Sequence, residues 1–138
     1  TDLALWNATI SCNLTGAFSV TRTALPLLRR SVSPLILNIA SIAAIRPFAN
    51  MAAYAASKAG LLALSRVLRE ELRPQGIRVA VMIPGATESH FWDTAGVDWD
   101  RGAMMDPARI AAMAVDIATQ PPEMLTEEVI VLPSGGAM

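Results

Sequence analysis

The sequence is short of the groups that many chemistries and compartments require. It has one cysteine, Cys12, and one histidine, His90. A single cysteine excludes an internal disulfide, which fits a reducing, cytoplasmic setting. One Cys and one His also argue against a zinc site of the usual three- or four-ligand kind, and no other metal site is expected. Charged residues are only 17% of the 138, and 11 basic against 12 acidic side chains leave a net charge of −1. That balance argues against a nucleic-acid or anionic-membrane surface, either of which needs a basic excess. No apolar run reaches about 18 residues, so no membrane span is expected. The N-terminus, TDLALWNATI, has neither a signal-peptide pattern nor an initiator Met. The chain is therefore expected to be a processed product or a piece of something longer. Neither glycine-rich nucleotide fingerprint, G-x-G-x-x-G or the P-loop, occurs in it.

What is abundant is apolar. Such residues make up 53% of the chain, above the ~45–50% of soluble domains, which excludes intrinsic disorder. The length is that of one domain with a sizeable core. No repeat and no low-complexity tract interrupts it. Trp6, Ile10, Leu14 and Phe18 recur every four residues, and with Leu25 and Leu28 they predict one long amphipathic helix over about 3–30. Thr1 and Asp2 are its candidate caps, and Pro26 should bend or end it. LILNIA (35–40) is apolar on both faces, as a covered strand of a parallel sheet requires. Leu61, Leu64, Leu68 and Leu72 mark a second long helix over 50–73, stopped by Pro74 and Gly76. IRVAVMI (77–83) is a second buried strand, ended by Pro84-Gly85. Residues 86–105 fit no period and read as a mobile loop, with Trp92, Trp99 and Met105 as either a hydrophobic cover or a substrate pocket. Asp106-Pro107 opens a third helix, and EVIVLP (128–133) is a third strand. Strands separated by helices predict an α/β fold: a parallel sheet with helices on its faces.

Tyr54 and Lys58, in YAASK, are the only tyrosine and the only lysine. Four residues apart on a helix, they share a face one turn apart. An ammonium beside a phenol stabilises the phenolate, so the pair suits proton exchange with an alcohol or carbonyl. From spacing alone, a pair that only packs and keeps the helix soluble is the commoner reading. Ser41 follows the first strand directly, in NIAS, where open α/β sheets meet their ligands; a turn serine would stand there too. Pro84-Gly85 ends the second strand in the same way, and Gly85 permits close backbone approach. Asn13 interrupts the first helix, where Asn is a poor former and more often faces solvent than serves a site.

In this order and spacing, these residues resemble the short-chain dehydrogenase/reductase family. NLTGAF around Asn13 is similar to the family's N-x-x-G-x-F segment. NIAS is similar to the strand end that carries its Ser, Y-x-x-x-K follows thirteen residues after Ser41, and IRVAVMIPGATES is similar to the strand and Pro-Gly loop at its nicotinamide. The resemblance implies a three-layer, doubly wound Rossmann-like sheet, of which residues 1–138 supply the last three strands as a single partial domain. It implies that Tyr54 is the general acid/base, that Ser41 orients the substrate oxygen, and that Lys58 tunes Tyr54 and bonds the nicotinamide ribose. Asn13 is implied to hold a water in a proton relay. Pro84, Gly85, Thr87 and Ser89 are implied cofactor contacts, with Ser89 where the family usually has Thr. The implied cofactor is NAD or NADP, the implied substrate a small alcohol or ketone, and the implied assembly a homodimer or homotetramer built on the two long helices. The family's glycine-rich pyrophosphate loop has no counterpart among the 138 residues, so they alone are expected to bind the cofactor weakly. Two other readings stand beside this one: a truncated, inactive member kept as an interaction or structural protein, and a serine hydrolase using Ser41 and His90.

Overall fold

The computed structural model of the protein describes residues 1–94 and 100–136. Part of the predicted 86–105 loop, residues 95–99 including Trp99, lies outside the described residues. Asp2 caps the first helix, accepting the Leu5 N–H at 2.8 Å. That helix, α1 (Leu3–Ile10), runs through a π-helical turn (Ser11–Thr15) into α2 (Gly16–Leu28). The predicted single helix is thus one rod with a widened turn at its middle, centred on Asn13. Pro26 is accommodated within α2, which ends two residues later.

The remaining elements are β1 (Leu35–Ile39), α3 (Ala52–Leu72), β2 (Arg78–Pro84), the short α4 (Phe91–Thr94), α5 (Pro107–Ala118) and β3 (Glu128–Val131). Asp106 caps α5 through the Ala108 N–H, as its pairing with Pro107 predicts. The three strands form a parallel sheet in the order β1-β2-β3. Leu35 is level with Arg78, and Val81 with Glu128.

Apolar runs on both faces make β2 the centre of the core. Val79, Val81 and Ile83 face the α3 side, packing in two clusters with Leu62, Leu68 and Leu72. Ala80 and Met82 face the other way, onto Ile117 and Met113 of α5. The result is three layers, helix on sheet on helix, as a doubly wound arrangement requires. Two arginines are built into it. Arg69 donates to the carbonyls of Val79 and Glu127. Arg78 donates to three carbonyls before β3 and to the Ser33 hydroxyl. Both are under 10% exposed, and their charges are held by backbone carbonyls and, for Arg69, by the Glu127 and Glu128 carboxylates at 3.4 and 3.6 Å, contacts that tie β3 to the sheet.

Candidate active site

The chain leaves β1 at Ile39, and Ser41 then caps a single 3-10 turn, Ile42–Ala44, its Oγ accepting the Ala43 N–H at 3.2 Å. Asn50, at φ 64°, takes the left-handed conformation that Asn tolerates better than most residues, and α3 begins two residues on. Tyr54 and Lys58 therefore stand on the first two turns of α3, beside the carboxyl end of β1. Across from them, β2 ends at Pro84 and the chain passes through Gly85, Ala86 and Thr87. A Cβ on Gly85 would lie 2.9 Å from Leu132 Cδ2, so the Pro-Gly turn sits tight against the segment after β3.

These segments enclose a pocket of about 260 Å³. Ser41, Tyr54, Lys58, Pro84, Gly85, Thr87 and Ser89 all line it, so residues 48 apart in sequence meet at one cleft. Lys58 is half-buried. Its Nζ donates to the Ile39 carbonyl at 2.9 Å and sits 5.7 Å from the centre of the Tyr54 ring, over its face. Burial pushes the ammonium's pKa down, and the nearby Cys12 acts the opposite way to a lesser degree. The Thr87 hydroxyl donates to the Gly85 carbonyl at 3.1 Å.

Asn13 is elsewhere. It does not line the pocket; its amide donates to the Ser57 hydroxyl at 3.0 Å, behind the Tyr54–Lys58 face. His90 is fully exposed, pairs with Asp93 at 3.1 Å and does not line the pocket with Ser41. Among the described residues no cluster of three metal-ligating side chains exists, and no helix is long and apolar enough to cross a membrane.

Reading the sequence alone missed Phe48 and Met51, which line the same pocket from the approach to α3. Their place between a strand's carboxyl end and the next helix was a usable signal. Trp92 also lines it, fixed by an indole N–H bond to the Thr87 carbonyl at 2.7 Å. Among the described lining residues Lys58 carries the one charge. The arrangement offers the hydroxyls of Ser41, Tyr54, Thr87 and Ser89 and one ammonium in an otherwise apolar cleft, a set suited to moving a proton at an oxygen atom.

Residues 1–98 match the short chain dehydrogenase family. An uncharacterized oxidoreductase of Staphylococcus epidermidis is 30% identical over 128 residues, which cover 93% of this chain and 55% of that protein. Sepiapterin reductase of Chlorobaculum tepidum is 33% identical over 128 residues, 93% of this chain and 52% of that one. The crystal structure of a metagenomic short-chain oxidoreductase in complex with NADP superposes with a TM-score of 0.77 at 32% identity, covering 97% of this chain and 53% of the other. The chain thus spans about half the length of the curated relatives it matches.

Proposed function

The chain belongs to the short chain dehydrogenase family, and from that premise we propose that it carries the substrate side of an NAD- or NADP-dependent oxidoreductase that interconverts an alcohol and a carbonyl. The observation that carries this reading is the convergence of Ser41, Tyr54 and Lys58 on one pocket at the strand ends. The donor set also fits the nicotinamide-riboside end of the cofactor: an amine, the Ser89 hydroxyl and the apolar Ile39, Ala40 and Pro84 around one cleft. When bound, the nicotinamide supplies or accepts the hydride.

The chain's own residues move the proton. In reduction Tyr54 gives its hydroxyl proton to the substrate oxygen, and in oxidation it takes one back. Lys58, over the ring, steadies the negative charge left on the Tyr54 oxygen and would bond the ribose hydroxyls of a bound cofactor. Ser41, its Oγ fixed by the Ala43 N–H, donates to the substrate oxygen and aims it at Tyr54. Pro84, Gly85, Thr87 and Ser89, which line the same pocket, would hold the carboxamide of a bound nicotinamide. Phe48, Met51 and Trp92 make the outer wall apolar, which favours an uncharged substrate with a hydrocarbon flank over a carboxylate. Asn13 acts from behind the pocket rather than as a contact within it.

Steady-state turnover of the intact protein with apolar ketones and either nicotinamide cofactor tests the reading. Tyr54→Phe abolishes turnover with the fold retained, because one hydroxyl is lost. Ser41→Ala lowers it on the order of 100-fold or more. Near-normal turnover in Tyr54→Phe removes the assignment.

A further inference from the structure

We infer that Ser57 is a positioning residue: by its hydrogen bond to Asn13 it pins the π turn of the first helical rod against α3 at the level of Lys58, and so sets the surroundings of that ammonium. The inference rests on the proposed role of Lys58 for its consequence, while its geometry stands without it.

Ser57 is completely buried. Its hydroxyl donates to the Tyr54 carbonyl at 2.7 Å and accepts the Asn13 amide at 3.0 Å. One hydroxyl thus joins the backbone of Tyr54 to a residue 44 positions away, and the next residue in the chain is Lys58. Asn13 lies at the centre of the π turn Ser11–Thr15. A π turn carries one more residue than an α turn and is stable only where something holds the widened loop; such turns recur at functional sites. Here it is held at two places on α3, at Ser57 by Asn13 and one turn further along at Gly60. A Cβ on Gly60 would fall 2.7 Å from Leu14 Cδ2, so the Leu14 side chain packs directly on the glycine and would have to turn aside for a larger residue. Between them the turn brings Cys12 into electrostatic reach of Lys58. The titratable groups that face Lys58 are therefore Tyr54 from its own helix and Cys12 from the turn, and the Ile39 carbonyl holds it from the sheet. A serine that only joined two helices would do so equally well anywhere along α3. This one sits between Tyr54 and Lys58 and is bonded to both the turn and the first of them.

Lys58 is the only lysine, so the protein labelled with 13C at the lysine ε-carbon gives one lysine signal, and its titration is read without cofactor or substrate. Ser57→Ala frees the turn and admits water beside the ammonium. Burial is the larger influence on Lys58, so its midpoint rises toward the ordinary lysine value. Asn13→Ala produces the same rise, the double variant adds nothing further, and Ser57→Thr restores the parent value. A folded Ser57→Ala protein with an unmoved Lys58 midpoint overturns the inference. If that variant does not fold, Asn13→Ala, which keeps the Ser57 bond to Tyr54, decides in its place: an unmoved midpoint there overturns it as well. A protein without turnover that still shows the rise removes the proposed function and leaves this inference standing; an active protein without the rise does the reverse.

Discussion

Lys58 holds a charge that its surroundings only half accept. Burial lowers its pKa below the usual 10.5, against the smaller influence of Cys12. For a cationic group this sign means that folding favours the neutral amine. Below the lowered folded value the ammonium is charged in both states, and burying it costs stability. As pH rises from that value to 10.5 the cost disappears, because the unfolded chain then binds more protons than the folded one. Lys58→Met removes the cost altogether. Thermal unfolding should therefore show the Met variant gaining on the parent at pH 7, with the difference shrinking toward pH 10.5; a difference independent of pH contradicts this. Tyr54, Lys58 and Ser41 were legible in the sequence because their placement depends on local rules, the one-turn spacing on a helix and the position after an apolar strand. The partner of Asn13 was not. Its hydrogen bond spans 44 residues, and no local pattern predicts which hydroxyl of α3 it meets.

At the scale of elements, the pocket's outer wall hangs on a charged clasp. Arg101 bonds both carboxylate oxygens of Glu88, reaches Asp93 at 2.6 Å and donates to the Ser89 carbonyl. The clasp closes over the segment that carries Trp92, whose base is fixed where Glu88 N–H meets the Met105 carbonyl at 2.9 Å. Arg101 holds the Glu88 and Asp93 carboxyls below their usual 4.5 and 3.8. The stabilisation is thus complete above those values and is lost as pH falls through the lower, folded ones. All three groups are exposed, so salt weakens the clasp too. Amide exchange at Trp92 and Asp93, corrected for intrinsic rates, should accelerate at acid pH and in Arg101→Ala; protection that survives both contradicts the clasp. The strand and helix order was readable because apolar runs covered on both faces and four-residue periods each have one structural solution here. The π turn was not readable, since one extra residue in a turn leaves the four-residue stripe of Trp6, Ile10, Leu14 and Phe18 intact.

For the whole molecule, which helix faces turn outward decides where a partner would sit. Periodicity alone cannot tell a helix face turned to the sheet from one turned outward; Leu68 belongs to the core with Val79, and Leu64 packs partly buried against it. Trp6 at 38%, Phe18 at 46% and Val67 at 54% exposure remain outside on the long helices. By family resemblance we propose that a second copy covers these side chains. Light scattering at micromolar concentration should give a dimer or larger; a clean monomer contradicts this. The central claim, that Tyr54 donates the proton while a hydride passes to the substrate carbon, is tested most directly with a nicotinamide cofactor deuterated at the transferred position. The intact protein, given an apolar ketone, should yield the alcohol with deuterium on its carbinol carbon, and Tyr54→Phe of unchanged circular dichroism should yield none. Deuterium in the product of Tyr54→Phe at the parent rate, or its absence from the product of the parent, would contradict the account.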